Sequence, residues 1–240
     1  MRQSNHMVYV LLSGGIDSTT TLAMAKEDFP NALFTAVTVD YGQRHVKEIR
    51  AAKDVVDHYG AEHMLVYAAG LLQGMLVHTE GQTDEPIPDL SYAELDPGIS
   101  PTYVTFRNGF MLSIVAATAQ GWVMAQEKAG VLNAYATIYC GVHADDGAHW
   151  AYPDCTPEFI GGMANAIHIG TYQKVRLRAP LLNMSKAAVV RDGTRLKAPL
   201  EMTWSCYKGG ALHCGTCPTC RSRKEAFKLN DLADPTSYAA

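Results

Sequence analysis

Nowhere in these 240 residues does an uninterrupted apolar stretch approach the roughly 20 residues of a membrane span. The start of the chain has no apolar secretion segment and enters a core strand by Val8, so a cytoplasmic protein is expected, with residues 1–6 as a disordered lead. Neither sign of charge dominates. The net charge is −4, and one basic cluster stands out, Arg221, Arg223, Lys224 and Lys228. Proteins that grip polynucleotides through phosphates usually carry a basic excess, so nucleic-acid binding is disfavoured as the main role. There are no internal repeats and no low-complexity tracts. Cysteine is sparse until late in the chain: Cys140 and Cys155 stand alone, then Cys206, Cys214, Cys217 and Cys220 fall within fifteen residues. A chain this long buries roughly three-quarters of its unfolded surface and needs no disulfides to fold.

Two common nucleotide signatures are missing as well. No glycine-rich turn ends in Gly-Lys-Ser/Thr, and none reads G-x-G-x-x-G. Instead, Ser13-Gly14-Gly15-Ile16-Asp17-Ser18-Thr19-Thr20 follows the apolar run Val8–Leu12 and opens a helix reaching about Lys26. Glycines let backbone N–H groups approach a ligand, hydroxyls add donors, and the helix N-terminus adds partial positive charge, so such a turn binds an anion. The pattern S-G-G-I-D-S resembles the pyrophosphate-binding loop of the N-type ATP pyrophosphatases, which split ATP to AMP and pyrophosphate. Leu12, Ser13, Gly14, Gly15, Asp17, Ser18 and Thr19 are the expected nucleotide contacts. Asp17 is acidic where phosphates would sit, and is read as helix-capping or magnesium-linked.

Further along, Leu33–Val39 reads as a second strand, 46–59 as an amphipathic helix with Ile49, Ala52, Val55 and Val56 on one face, and Met64–Val66 as a third strand. Strand–helix alternation predicts right-handed βαβ units and a Rossmann-like parallel sheet flanked by helices. Residues near 67–104 hold no period and are rich in proline, so they read as a lid-like insertion. A long apolar helix then runs to about Gln126, followed by a strand at 134–141, a helix at 157–169, a strand at 175–179, and a helix at 185–196 capped by Ser185. The expected organisation is an α/β domain over 1–200 with a cysteine segment and a final short helix, Arg221–Leu229, over 201–240, packed on the same domain.

Cys206, Cys214, Cys217 and Cys220 supply four soft ligands, with glycines to permit the turns. Four thiolates select zinc, with an iron–sulfur cluster second, and a closed shell of four makes the metal structural, one per chain. His213 is surplus to that set and reads as a surface residue.

Taken together, the anion loop, Asp40-Tyr41-Gly42-Gln43-Arg44-His45, Arg107-Asn108, Tyr152-Pro153-Asp154-Cys155, Pro157-Glu158-Phe159, Trp204-Ser205-Cys206-Tyr207 and the remaining cysteines resemble the 7-cyano-7-deazaguanine synthase family, from about Val8 to Leu229. The resemblance implies an adenine nucleotide alpha hydrolase-like fold and ATP-dependent conversion of 7-carboxy-7-deazaguanine, with ammonia, to 7-cyano-7-deazaguanine. Adenylation would turn the acid into an amide, and a second adenylation would turn the amide into the nitrile. ATP with magnesium would be the nucleotide, and a homodimer the assembly. Asp17, Arg44, Arg107 and Lys186 become the expected catalytic set, with Lys186 facing a phosphate because a cation at a helix start opposes the macrodipole. His45, Asn108, Asp146, Asp154 and Glu158 become the expected substrate contacts, the carboxylates accepting from a guanine-like N–H edge.

The chain departs from the family's usual residues at Thr156, His143, Thr105-Phe106 and the stretch 147–151, all expected near the substrate pocket. These departures leave open an enzyme that stops at the amide or uses another acceptor. No glutaminase motif surrounds Cys140 or Cys155, which points to free ammonia or a separate nitrogen donor. The competing reading outside enzymes is a four-cysteine nucleic-acid module using Arg221, Arg223 and Lys224.

Overall fold

The computed structural model describes residues 4–42, 46–69, 89, 103–147 and 150–239. Among them, five strands form one sheet: β1 (His6–Leu11), β2 (Leu33–Asp40), β3 (Glu62–Tyr67), β4 (Tyr135–Tyr139) and β5 (Val175–Arg178). The order is β3-β2-β1-β4-β5 and all four pairings are parallel. Six longer helices accompany them: α1 (Ile16–Asp28), α2 (Val46–Tyr59), α3 (Arg107–Lys128), α4 (Pro157–Gly170), α5 (Lys186–Arg195) and α6 (Pro218–Lys228).

Alternation along β1 divides the core. Met7 and Tyr9 face one side with Leu112, Val115 and Ala119 of α3 and Ile160 and Ile167 of α4. Val8 and Val10 face the other with Leu22 of α1 and Ala52, Val55 and Val56 of α2. A third cluster joins α1 to α5 and α6 through Ile16, Val189, Val190, Ala226 and Phe227. Burial on both faces explains why the strands read as continuous apolar runs.

Three expectations are corrected here. His6 belongs to β1 rather than to a disordered lead: it is buried, its Nε2 lies 2.9 Å from Thr137 Oγ1, and its ring stacks on Tyr135 at 4.1 Å. The last helix starts at Pro218 with Cys217 as its N-cap, because proline at the first position favours a helix start. His213 is buried, not superficial; its Nε2 accepts from the Ser205 N–H at 3.0 Å and its ring lies 4.2 Å from Trp204. Burial, helped by Arg223, pushes that imidazole down to about 4, which keeps it neutral as an acceptor. Most of the expected lid over 67–104 lies outside the described residues, as do Arg44 and His45.

Candidate active site

The chain leaves β1 at the centre of the sheet, between β2 and β4, where the strand order reverses. Ligands of open parallel sheets bind at that point, beyond the carboxyl ends of the strands. A cavity of about 310 Å³ opens there.

The loop from Ser13 to Ser18 forms its floor. The Ser18 hydroxyl donates to the Gly15 carbonyl at 3.2 Å and accepts from the Ser13 N–H at 3.2 Å, which holds the turn closed. Gly15 caps α1 without any side-chain hydrogen bond, so the N–H groups of Ile16, Asp17 and Ser18 have no intrahelical acceptor. Three such donors at a positive helix end suit a phosphate group. Leu12, Ser13, Gly15, Asp17 and Ser18 all line the cavity. Gly14 and Thr19 do not. Thr19 is fully buried beneath the loop, and Gly14 turns back against α2 with φ +83°. A Cβ on Gly14 would meet Ala52 N and Glu48 O at 2.5 Å, so only glycine fits this packing.

Lys186, at the first position of α5, reaches both carboxylate oxygens of Asp17, at 2.7 and 2.6 Å. One expectation is corrected: Asp17 does not cap its helix, whose N-cap is Gly15, and its carboxylate instead meets Lys186. Burial works against a charged Asp17, but Lys186 and His143 hold its pKa below the usual carboxylate range. His143 is buried, with Nε2 at 3.8 Å from Asp17 and 3.3 Å from Asp146. Burial pushes the Asp146 carboxyl up. Asp145 accepts from the Lys186 N–H at 2.7 Å.

Arg107 and Asn108 open α3 on the facing wall. Arg107 donates to the Tyr41 hydroxyl at 3.2 Å. Asn108 donates from its backbone N–H to Asp154 Oδ2 at 2.9 Å and from its amide to Cys155 Sγ at 3.2 Å. Asp154 thereby caps α3, whose own N-cap, Phe106, is left-handed and offers no side-chain bond. The Asp154 carboxylate is committed to that cap, and Asp154 is absent from the cavity lining. Glu158 is exposed on α4 and is likewise outside it. Thr156 also serves structure: it caps α4 by accepting from the Phe159 N–H at 3.3 Å. The threonine–proline start of α4 was a readable cap signal.

The cysteine segment builds the remaining wall through Trp204, Ser205 and Tyr207. The Trp204 N–H donates to the Gly14 carbonyl at 2.9 Å, tying this wall to the anion loop. Fully buried Arg223 braces it by bonding Thr203, Ser205, the Leu200 carbonyl and Asp234. The sulfurs of Cys206, Cys214, Cys217 and Cys220 lie within 4.8 Å of one another, a set able to hold a metal ion. Cys140 and Cys155 line the cavity as thiols, Cys140 pushed up to about 12 and Cys155 also pushed up, both by burial, so neither is an activated nucleophile.

Sequence reasoning missed Glu48 as a cavity residue. In the first turn of α2 a glutamate reads as a partner for the helix dipole, and nothing local shows that α2 docks on Gly14.

Residues 7–231 match the family model described as "Queuosine biosynthesis protein QueC". A 7-cyano-7-deazaguanine synthase from Chelativorans sp. (strain BNC1) is 39% identical over 96% of this chain and 92% of its own length. One from Rhizobium etli (strain CIAT 652) is 41% identical over 95% and 90%. Among solved structures, the U34-tRNA thiolase NcsA of Methanococcus maripaludis, which carries a 4Fe-4S cluster, shares the fold at TM-score 0.51 and 17% identity, over 95% of this chain and 66% of that one. A family match across nearly the whole length, with relatives near 40% identity, places the chain: it belongs to the QueC family of queuosine biosynthesis proteins.

Proposed function

We propose that this chain is an ATP-dependent carbon–nitrogen ligase that converts 7-carboxy-7-deazaguanine and ammonia to 7-cyano-7-deazaguanine. The observation that carries the reading is one cavity with an uncapped helix N-terminus on its floor and Arg107 on its wall. The first feature suits the β and γ phosphates released as pyrophosphate. The second suits the charge that develops on the phosphate or the substrate carboxylate during adenylation.

Ser13, Gly15, Asp17 and Ser18 hold the pyrophosphate through N–H and hydroxyl donors. Lys186 exchanges part of its contact with Asp17 for phosphate oxygens as the nucleotide enters. A carboxylate is a poor electrophile, so AMP serves as leaving group when ammonia attacks. The same loop then serves adenylation of the amide oxygen, and loss of AMP with two protons leaves the nitrile. Among the described residues, no second anion loop offers a separate site for that stage. Oxygen donors from Asp17, Asp145 and Asp146 line the same cavity and suit magnesium accompanying the phosphates. Arg44 and His45, which follow β2 in the sequence, complete the proposed set with Asn108, which lines the cavity beside Arg107.

For the cysteine cluster we read one structural zinc. Thiolates about 2.3 Å from one tetrahedral ion sit about 3.8 Å apart, and Cys214 and Cys220 sulfurs are 3.9 Å apart. A four-iron cubane spreads its thiolates farther. The metal would fix the turn that carries Trp204 to the anion loop. We further read residues 1–200 as the nucleotide-binding domain and 201–240 as a metal-bearing extension packed on it, working as a cytoplasmic homodimer on free ammonia.

His143 supports a second reading, in which the enzyme stops at the amide or passes the deazaguanine to another acceptor. It departs from the family's usual asparagine and lines the cavity beside Asp17 and Asp146. Mass spectrometry of a reaction with the acid, ATP, magnesium and ammonia separates the two. Nitrile supports the first reading, and accumulating amide or another conjugate supports the second.

A further inference from the structure

Four carboxylates line the cavity: Glu48, Asp17, Asp145 and Asp146. Three of them are engaged. Asp17 is clamped by the Lys186 ammonium, Asp145 accepts from the Lys186 backbone, and Asp146 faces His143. Glu48 has no hydrogen bond and no ion pair among the described residues; the nearby charge that acts on it is Arg107, which itself bonds Tyr41. Its backbone is firmly set. Gly14 lets the first turn of α2 press directly onto the anion loop, with Glu48 O and Ala52 N where a side chain would otherwise be. A half-buried carboxylate without donors is costly, and a ligand that brings donors relieves the cost.

The substrate class proposed above has such donors. A 2-amino-4-oxo pyrimidine edge presents a ring N–H and an exocyclic amine side by side, two parallel N–H groups at the spacing of two carboxylate oxygens. Adenine presents one donor beside a ring-nitrogen acceptor, whose lone pair opposes a carboxylate. Of the acids expected to take this role, Asp146 lines the cavity but faces His143, Asp154 is a helix cap, and Glu158 lies off the cavity.

We propose that Glu48 is the specificity residue that reads the N–H edge of the deazaguanine, and that it selects this heterocycle against adenine. The proposal rests on the function proposed above and deepens it. Burial supports it too, pushing the empty carboxyl up to about 7 with Arg107 partly offsetting. Two N–H donors from the heterocycle would hold it ionised, and it is in that form that it opposes the ring nitrogen of adenine.

The test compares wild type with Glu48→Gln, which keeps size and shape. Steady-state KM is measured for 7-carboxy-7-deazaguanine, for its analogue lacking the 2-amino group, and for ATP. Calorimetric binding of the acid is measured in parallel, so that a variant with low turnover still gives an answer. Wild type is expected to prefer the amino-bearing acid about 10-fold or more. The variant is expected to bind that acid about 10- to 100-fold more weakly, to lose the preference, and to keep its ATP KM within about two-fold. A variant that retains the preference overturns the assignment. So does one whose ATP KM rises while the acid is bound as before, since Glu48 would then serve adenine. Wild type that neither binds nor converts the acid overturns the proposed function itself, which is a distinct result.

Discussion

Lys186 Nζ lies 2.6 and 2.7 Å from the two carboxylate oxygens of Asp17, joining the first residue of α5 to the first turn of α1 across 169 positions of sequence. The pair is largely shielded, with side-chain exposures of 17% and 24%. Removing one partner strands the other charge, so Lys186→Ala or Asp17→Ala should lower stability by roughly 1–3 kcal/mol. The double variant should be less destabilised than the sum of the two and still fail to adenylate the substrate. Denaturant unfolding with a double-mutant cycle reads the first effect, and pyrophosphate release reads the second.

Gly14→Ala places a Cβ 2.5 Å from two backbone atoms of α2 at a left-handed φ. The expected loss is at least about 2 kcal/mol in denaturant unfolding, with ATP binding weakened in whatever fraction remains folded. Gly121→Ala, where the new Cβ meets nothing within 4 Å, is the control and should be near neutral or stabilising.

In the ligand-free protein, Glu48 carries a signature in pH. Burial raises its folded pKa to about 7 from the usual 4.5, with Arg107 partly offsetting. The folded chain therefore keeps a proton that the unfolded chain releases, and stability falls as pH rises from about 4.5 to about 7. Glu48→Gln should remove that fall, leaving the variant more stable than wild type at pH 8 by on the order of 1–3 kcal/mol. At pH 4.5 the two should match. Urea midpoints across this range decide it, and identical slopes for both proteins would contradict the environment described for Glu48.

Metal removal should act at a distance. The Trp204 N–H is bonded to the Gly14 carbonyl, and Cys206 follows two residues later. Cys217→Ser should lose about one zinc per chain and impair folding of the C-terminal segment. In chelated wild type, amide exchange at Trp204 and across 13–18 should accelerate before exchange in β1, β2 and β4. Unchanged protection of that loop would disconnect the metal from the nucleotide site.

Local signals served the reading well where they acted alone. The span of α2 coincides with its apolar spacing, Ser185 caps α5 by accepting from the Ala188 N–H at 3.3 Å, and the four cysteines meet as their spacing implied. The differences come from contacts made across the chain. Asp154 and Asn108 are 46 residues apart, so nothing in Y-P-D-C reveals that this carboxylate caps α3. His213 is buried because Trp204 and Tyr238 flank its ring, a result of how the tail returns over the cysteine turn. The strand order, which puts β1 at the centre and aims the loop into a cavity, is likewise set by packing of both faces rather than by any one segment.

The stoichiometry of nucleotide and product tests the single-site ligase reaction most directly. Wild-type protein given 7-carboxy-7-deazaguanine, ammonia, magnesium and excess ATP should yield two AMP and two pyrophosphate for each 7-cyano-7-deazaguanine, and one of each when started from the amide. Formation of ADP and orthophosphate would contradict the role assigned to the Ser13–Ser18 loop, and one AMP per acid with the amide as end product would contradict a single site serving both stages.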